Sequence, residues 1–143
     1  MNLSKNVKIT LVQAPLADGQ TDPDSAAVDM QGFEGVMFVG IVGTVTGSGT
    51  AALKASQSSD NVNFNDLAGA VVTGAAGGSD KFFVLDVYRP LDRYVRTTLT
   101  HAVADSIYGG TLAIQYGAHK KPTVHDAATL AAAALLGISP SEA

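Results

Sequence analysis

The chain has 143 residues and no cysteine, and nine Lys+Arg stand against thirteen Asp+Glu for a net charge of −4. Disulfides and thiolate metal sites are therefore excluded, and the acidic balance argues against nucleic acid as a partner, since phosphate-backbone binding needs clustered cations. The length suits one domain that buries about 68–70% of its extended surface, and 46% hydrophobic with only 15% charged residues points to a surface that meets other protein.

Taken in order, residues 7–13 alternate, with Val7, Ile9 and Leu11 on one side and Lys8 and Thr10 on the other, which predicts a half-buried strand. Residues 15–25 gather Pro, Gly, Asp and Ser and predict turns, with a short strand following over 26–30. Residues 35–46 give the strongest strand signal. Val36, Phe38 and Val42 share one face, while Met37, Val39, Ile41 and Val45 share the other. Apolar residues on both faces mean that both are covered, one by the core and one by a helix, a loop or a second subunit. The Gly-Ser-Gly at 47–49 predicts a hairpin into a strand over 50–57 that turns Leu53 inward and Lys54 outward.

A polar turn at 58–61 leads to Val62 and Phe64, expected to point inward together, and 73–80 is a loop of small residues. Residues 81–88 form a second strand, with Phe83, Leu85 and Val87 against Phe82 and Val84, stopped by Pro90. Strands over 93–101 and 111–116 complete a set of about eight, the last with Leu112, Ile114 and Tyr116 on one face. Eight short strands without intervening helices predict an all-β, jelly-roll-like antiparallel sandwich over residues 1–121; an immunoglobulin-like sandwich is the competitor. Residues 122–143 differ in kind. Thr123 to Asp126 resembles a helix cap, residues 127–136 are rich in Ala and Leu, and Gly137 and Pro140 follow, which predicts a short C-terminal helix or docking arm.

The start of the chain lacks a continuous apolar core before a small-residue cleavage site, so no secretory signal is expected. The apolar run 127–137 falls short of the ~20 residues that cross a bilayer, and no membrane partner is expected.

No arrangement of residues carries chemistry. Asp18, Asp22 and Asp24 lack the spacing and terminal Glu of a calcium loop. His101, His119 and His125 contain no pair at metal-binding helical spacing, so no metal or cofactor is expected. The segment 47–50 lacks the Lys-Ser/Thr ending of a phosphate loop, and no nucleophile elbow occurs. Asp86 and Asp92 lie near Arg89, Arg93 and Arg96 and are better explained by strand-end ion pairs than as a glycosidase acid pair. No catalytic residue is predicted; the chain is not expected to be an enzyme.

Partner-binding residues are drawn instead from three features. Met37, Val39 and Ile41 form surplus apolar surface that predicts a homodimer. Arg89, Arg93, Arg96, Lys120 and Lys121 are the only basic concentrations and suit an acidic patch on another protein. Leu130, Leu135 and Leu136 give the tail a docking stripe.

Four segments resemble small virion proteins of tailed bacteriophages: Asp29-Met30-Gln31-Gly32-Phe33-Glu34 up to Phe38, Gly43-Thr44-Val45-Thr46, Ser58 to Phe64, and Arg93-Tyr94-Val95-Arg96. The resemblance spans about residues 27–118 and is similar in size and strand count to the jelly-roll capsid decoration, or cement, proteins. It implies a structural protein made in the host cytoplasm that sits on the capsid exterior. There it would bind the major capsid protein, often as a dimer, and bridge neighbouring subunits against internal DNA pressure. A head–tail joining or tail component shows the same pattern. A carbohydrate-binding sandwich is disfavoured by the absence of Trp and the presence of only four Tyr.

Overall fold

The computed structural model describes residues 2–19 and 22–133. The strands are β1 (Lys8–Gln13), β2 (Leu16–Gly19), β3 (Val28–Asp29), β4 (Gly35–Val45), β5 (Thr50–Ser58), β6 (Asn65–Thr73), β7 (Lys81–Tyr88), β8 (Tyr94–Ala102) and β9 (Ser106–Tyr116). Among the described residues, the helical content is one 3-10 turn at Leu3–Lys5.

The first sheet runs β1-β9-β4-β7, with β2 pairing the far end of β9; the second runs β3-β8-β5-β6. β1 and β2 follow one edge of β9 in succession, parted around Pro15, and act as two lengths of a single strand. With them merged, the first sheet joins the first, last, third and sixth strands, and the second joins the second, seventh, fourth and fifth. That wiring is a jelly roll, two Greek keys folded into facing sheets. The all-β sandwich expected from the sequence is what forms.

Alternation along the strands builds the core. Val36 and Phe38 of β4 are fully buried and share the interior with Leu53 and Ala55 of β5, Val95 and Leu99 of β8, and Phe83, Leu85 and Val87 of β7. Gly40 makes room for Tyr108, because a Cβ there would lie 3.2 Å from the Tyr108 hydroxyl and 3.3 Å from Leu53 Cδ2. The hydroxyl is satisfied by Thr111 Oγ1, and burial pushes its pKa up. Gln115 of β9 is also buried, and its Nε2 donates to the Asp29 carbonyl of β3 at 2.7 Å, a polar tie from one sheet to the other.

Several expectations need correction. Val62 and Phe64 do not plug the core: Val62 is 76% exposed, and Phe64 lies half-buried beneath Arg96, whose guanidinium sits 4.0 Å from the ring centre. Residues 58–63 instead wrap the Asp60 carboxylate, which accepts hydrogen bonds from Ser58 Oγ, the Val62 and Asn63 amides and Asn63 Nδ2 at 2.8–2.9 Å. The strand that follows, β6, was hidden. Gly69 at φ +79° and a register shift against β5 break its alternation, yet Leu67, Ala70 and Val72 pack on the core. The last strand begins at Ser106 rather than Thr111, because Gly109-Gly110 masks it; Gly110, at φ +99°, lies where a Cβ would meet the Gln13 carbonyl at 2.6 Å.

The predicted C-terminal helix does not form over its described part, where 127–129 make a turn and 130–133 are irregular; residues 134–136 lie outside the described residues. The tail spends its hydrogen bonds on β1 and the residues just before it instead. Thr123 N–H donates to the Lys5 carbonyl, and Thr123 Oγ1 donates to the Val7 carbonyl rather than capping a helix. The Ile9 amide donates to His125 Nδ1 at 3.0 Å and the Leu11 amide to Thr129 Oγ1 at 3.3 Å. Where the sequence favoured an arm reaching outward, residues 123–129 lie back along their own domain.

Two outcomes follow from these bonds. Removing residues 123–143 should lower the thermal midpoint by on the order of 5–10 °C, as several half-exposed hydrogen bonds at about 0.5 kcal/mol each are lost; an unchanged midpoint would mean that the strap carries no stability. The bonds around Asp60, chiefly those from the Asn63 and Val62 amides, hold its carboxyl far below the usual range. A depressed folded pKa stabilises fully above the unfolded value of about 4 and is lost as pH falls through the folded value. Asp60→Asn should therefore flatten the decline in urea midpoint between about pH 4 and pH 2, and an unaltered slope would count against the turn as an acid-sensitive element.

Candidate partner-binding face

Antiparallel pairing lines side chains up in rows across a sheet. On the outer face of the first sheet, one row runs Ile9, Ile114, Met37, Asp86 and the next runs Leu11, Leu112, Val39, Val84. A third carries Ile41 beside Phe82. Phe82 is 67% exposed and Ile41 and Val84 are each 45% exposed, while the residues nearer the middle are half-buried by one another. Rows this apolar leave a contiguous patch of the kind that marks protein contact rather than solvent.

The outer face of the second sheet is different. Arg96, Lys54 and Thr100 line it, with Ser56 and Thr98 buried in the same rows and Val71 exposed opposite Lys54, and Lys54 pairs with Asp66 at 3.0 Å. The sandwich therefore has one polar and one apolar exterior.

At the rim of the apolar face, Gly35 lies between Tyr116 and Tyr88. Lacking a side chain, Gly35 lets the Tyr116 ring fold across it, and the Tyr116 hydroxyl donates to Asp86 Oδ1 at 2.7 Å. Burial first, and then this bond to a carboxylate, raise the Tyr116 pKa. Asp86 is thus a rim residue held by a tyrosine, while Asp92 lines a cleft at the end of the sandwich with Met30, Phe33 and Glu34.

Met37, Val39 and Ile41, named from the sequence, all lie on this face. Reasoning from sequence missed Ile9, Leu11, Leu112, Ile114, Phe82 and Val84 as its companions. The stripe Ile9/Leu11 has the alternation of a core-facing strand, and it is pairing with Ile114 and Leu112 that sends it outward.

The arginines do not form one cationic patch. Arg93 makes a two-pronged pair with Asp29 at 2.7 and 2.9 Å, which holds the Asp29 carboxyl below its usual pKa. Arg96 pairs with Asp24 at 2.9 Å, and Arg89 lies 3.8 Å from Glu34. Arg93 lies in the bend before β8 and Arg96 within the strand, and each is taken by a different carboxylate. Lys120 and Lys121 are exposed. Leu130 lines an apolar hollow between the tail and Ser4 and Lys5, whereas Leu135 and Leu136 lie outside the described residues.

The histidines are dispersed as well: His101 pairs with Asp22 at 3.3 Å, His119 lines the end cleft and His125 sits on the β1 edge. Asp22 and Asp24 are engaged by His101 and Arg96, and the Asp18 side chain is outside the described set.

No protein-family model matches the chain, and no curated protein matches it. Its fold is similar to the crystal structure of the PBSX exported protein XepA, with a TM-score of 0.54 at 18% identity over 98% of this chain and 46% of that one. The chain thus spans less than half the length of that neighbour, and at this identity the likeness concerns the fold alone.

Adding a methyl group at Gly35 tests the rim. Gly35→Ala should drive Tyr116 off its seat, break the bond to Asp86 and cost about 1–3 kcal/mol, typical of overpacking. Unfolding free energies would reveal this, with Tyr116→Phe separating loss of the bond from the steric clash; a Gly35→Ala variant as stable as the parent would show that the ring is free to move.

Proposed function

We propose that the protein is a structural component of a tailed-phage particle, one that binds the outside of the capsid and holds neighbouring major capsid subunits together. The observation that carries this reading is the apolar outer face of the first sheet around Met37, Val39 and Leu112, opposed to a polar exterior on the second sheet. Such a face attaches by removing apolar area from water, worth about 25 cal/mol per Å², and requires no catalytic group. Attachment astride two subunits would add a link that opens only when both contacts break.

Two further lines support the reading. The segments 29–38, 43–46, 58–64 and 93–96 resemble those of small tailed-phage virion proteins. The fold is also similar to that of an exported protein of the PBSX phage. Lys120 and Lys121, exposed and without an acidic partner among the described residues, offer cations to an acidic rim on the shell.

Capsids assembled without the protein provide the assay. Purified protein should bind them, and Leu112→Lys, which puts a charge at the middle of the face, should weaken binding by about tenfold or more while preserving the β-sheet circular dichroism. Binding to isolated tails or connectors instead of capsids would move the protein to the head–tail region. Full decoration by the Leu112→Lys variant would remove the apolar face from the reading.

A further inference from the structure

We infer that β7 is the seam of a two-fold dimer in which the first sheets of two copies join edge to edge into one continuous sheet. The basis is a comparison of the four sheet edges formed by β1, β7, β3 and β6. Three are obstructed. The β1 edge is strapped by Thr123, His125 and Thr129 of the tail, and β2, which continues it, is four residues long with a shifted register against β9. β3 is two residues long, and the chain before it runs through Pro23. β6 is interrupted by its register shift and by Gly69.

β7 has none of these protections. Its eight residues pair with β4 in unbroken register from Lys81 to Tyr88, without proline or bulge. Among the described residues, no side chain bonds to its backbone. A long, regular, apolar edge presents a row of unpaired N–H and C=O groups and normally finds a strand to pair with. Its outward side chains agree with that expectation: Phe82 is 67%, Val84 45% and Tyr88 58% exposed.

The occupant follows from symmetry and charge. A strand added here must present apolar side chains toward the outer face and run alongside eight residues. With the other edges obstructed, the described surface that meets this requirement is β7 of a second copy. Antiparallel pairing reverses the strand, so Asp80 and Lys81 of one copy lie at the same end as Asp86 and Arg89 of the other, with opposite charges available at both ends. A contact of one patch with itself closes at two copies and grows no fibre. Main-chain hydrogen bonds supply the affinity, and the outward rows Phe82, Val84 and Tyr88 supply the register. The apolar face of each copy stays uncovered and is doubled in width. The dimer does not depend on capsid attachment.

Sedimentation across the micromolar range, with hydrogen exchange on β7, tests this without any capsid. The parent chain should dimerise, and the amides of β7 should gain protection as concentration rises. Val84→Lys should weaken the dimer by about tenfold or more, since the outward rows of the two copies meet across the seam and a lysine in each replaces an apolar cross-strand contact with like charges. Leu112→Lys lies in the same row two strands away and should leave the dimer intact, although it is the substitution expected to weaken capsid binding. A parent chain that stays monomeric overturns the proposal. So does a dimer equally weakened by both substitutions, which would be a face-to-face stack, or one weakened by neither.

Discussion

The constraint on which the rest of the structure depends is that β4 is apolar on both sides and sits between β9 and β7. Its inner residues Val36 and Phe38 are completely buried against the second sheet, and its outer residues Met37, Val39 and Ile41 face away from it. Burying a side chain such as Phe38 is worth roughly 1.5–3 kcal/mol, so the inner set anchors the sandwich. The same geometry forces the outer set to the surface, because successive side chains on a strand point in opposite directions. The apolar outer face is thus a direct consequence of the strand that holds the core together.

The neighbouring strands extend that face. β9 and β7, which flank β4, and β1 beyond β9 all turn apolar residues outward, whereas the second sheet turns out Lys54, Thr98, Thr100 and Arg96. Electrostatics follows the same division of labour. Arg93 and Arg96 are neutralised by Asp29 and Asp24 at loop and strand ends, and exposed pairs of this kind contribute little to stability, about 0–1 kcal/mol. Their effect is to hold local geometry, and they leave the apolar face free of fixed charge except for Asp86, which Tyr116 ties down at the rim.

The tail shows how a sheet edge competes with a helix. Residues 123–129 hold groups that serve a cap or first turn, but β1 offers free amides at Ile9 and Leu11, and the residues just before it offer free carbonyls at Lys5 and Val7. An isolated helix of about three turns is marginal in water, while an edge already fixed by the sandwich presents its partners at no further ordering cost. β1 is protected in this way, and β7, at the opposite side of the same sheet, is not.

The sequence by itself determined the all-β class, most strand positions and which residues of β7, and of β4 as far as Val42, face inward, because alternation with period two survives wherever a strand is regular. Val45, expected on the outer face with Met37, Val39 and Ile41, lies in the core because pairing with β9 shifts register between Val42 and Val45. It also isolated Met37, Val39 and Ile41, since a strand apolar on both faces needs two apolar surroundings whatever its fold. Tertiary structure alone decided the rest. Alternation at Ile9 and Leu11 says that one side of β1 is apolar but not which side meets the core; only pairing with Ile114 and Leu112 turned it outward. Gly69 and Gly109-Gly110 hid β6 and the start of β9, because a glycine that permits a positive φ or a close backbone contact is indistinguishable in sequence from one that ends a strand. The arginines resembled a patch because nearness in sequence does not fix direction in space, and their carboxylate partners lie far away along the chain. The fate of the tail depended on an edge more than a hundred residues distant, which local helix propensity does not register.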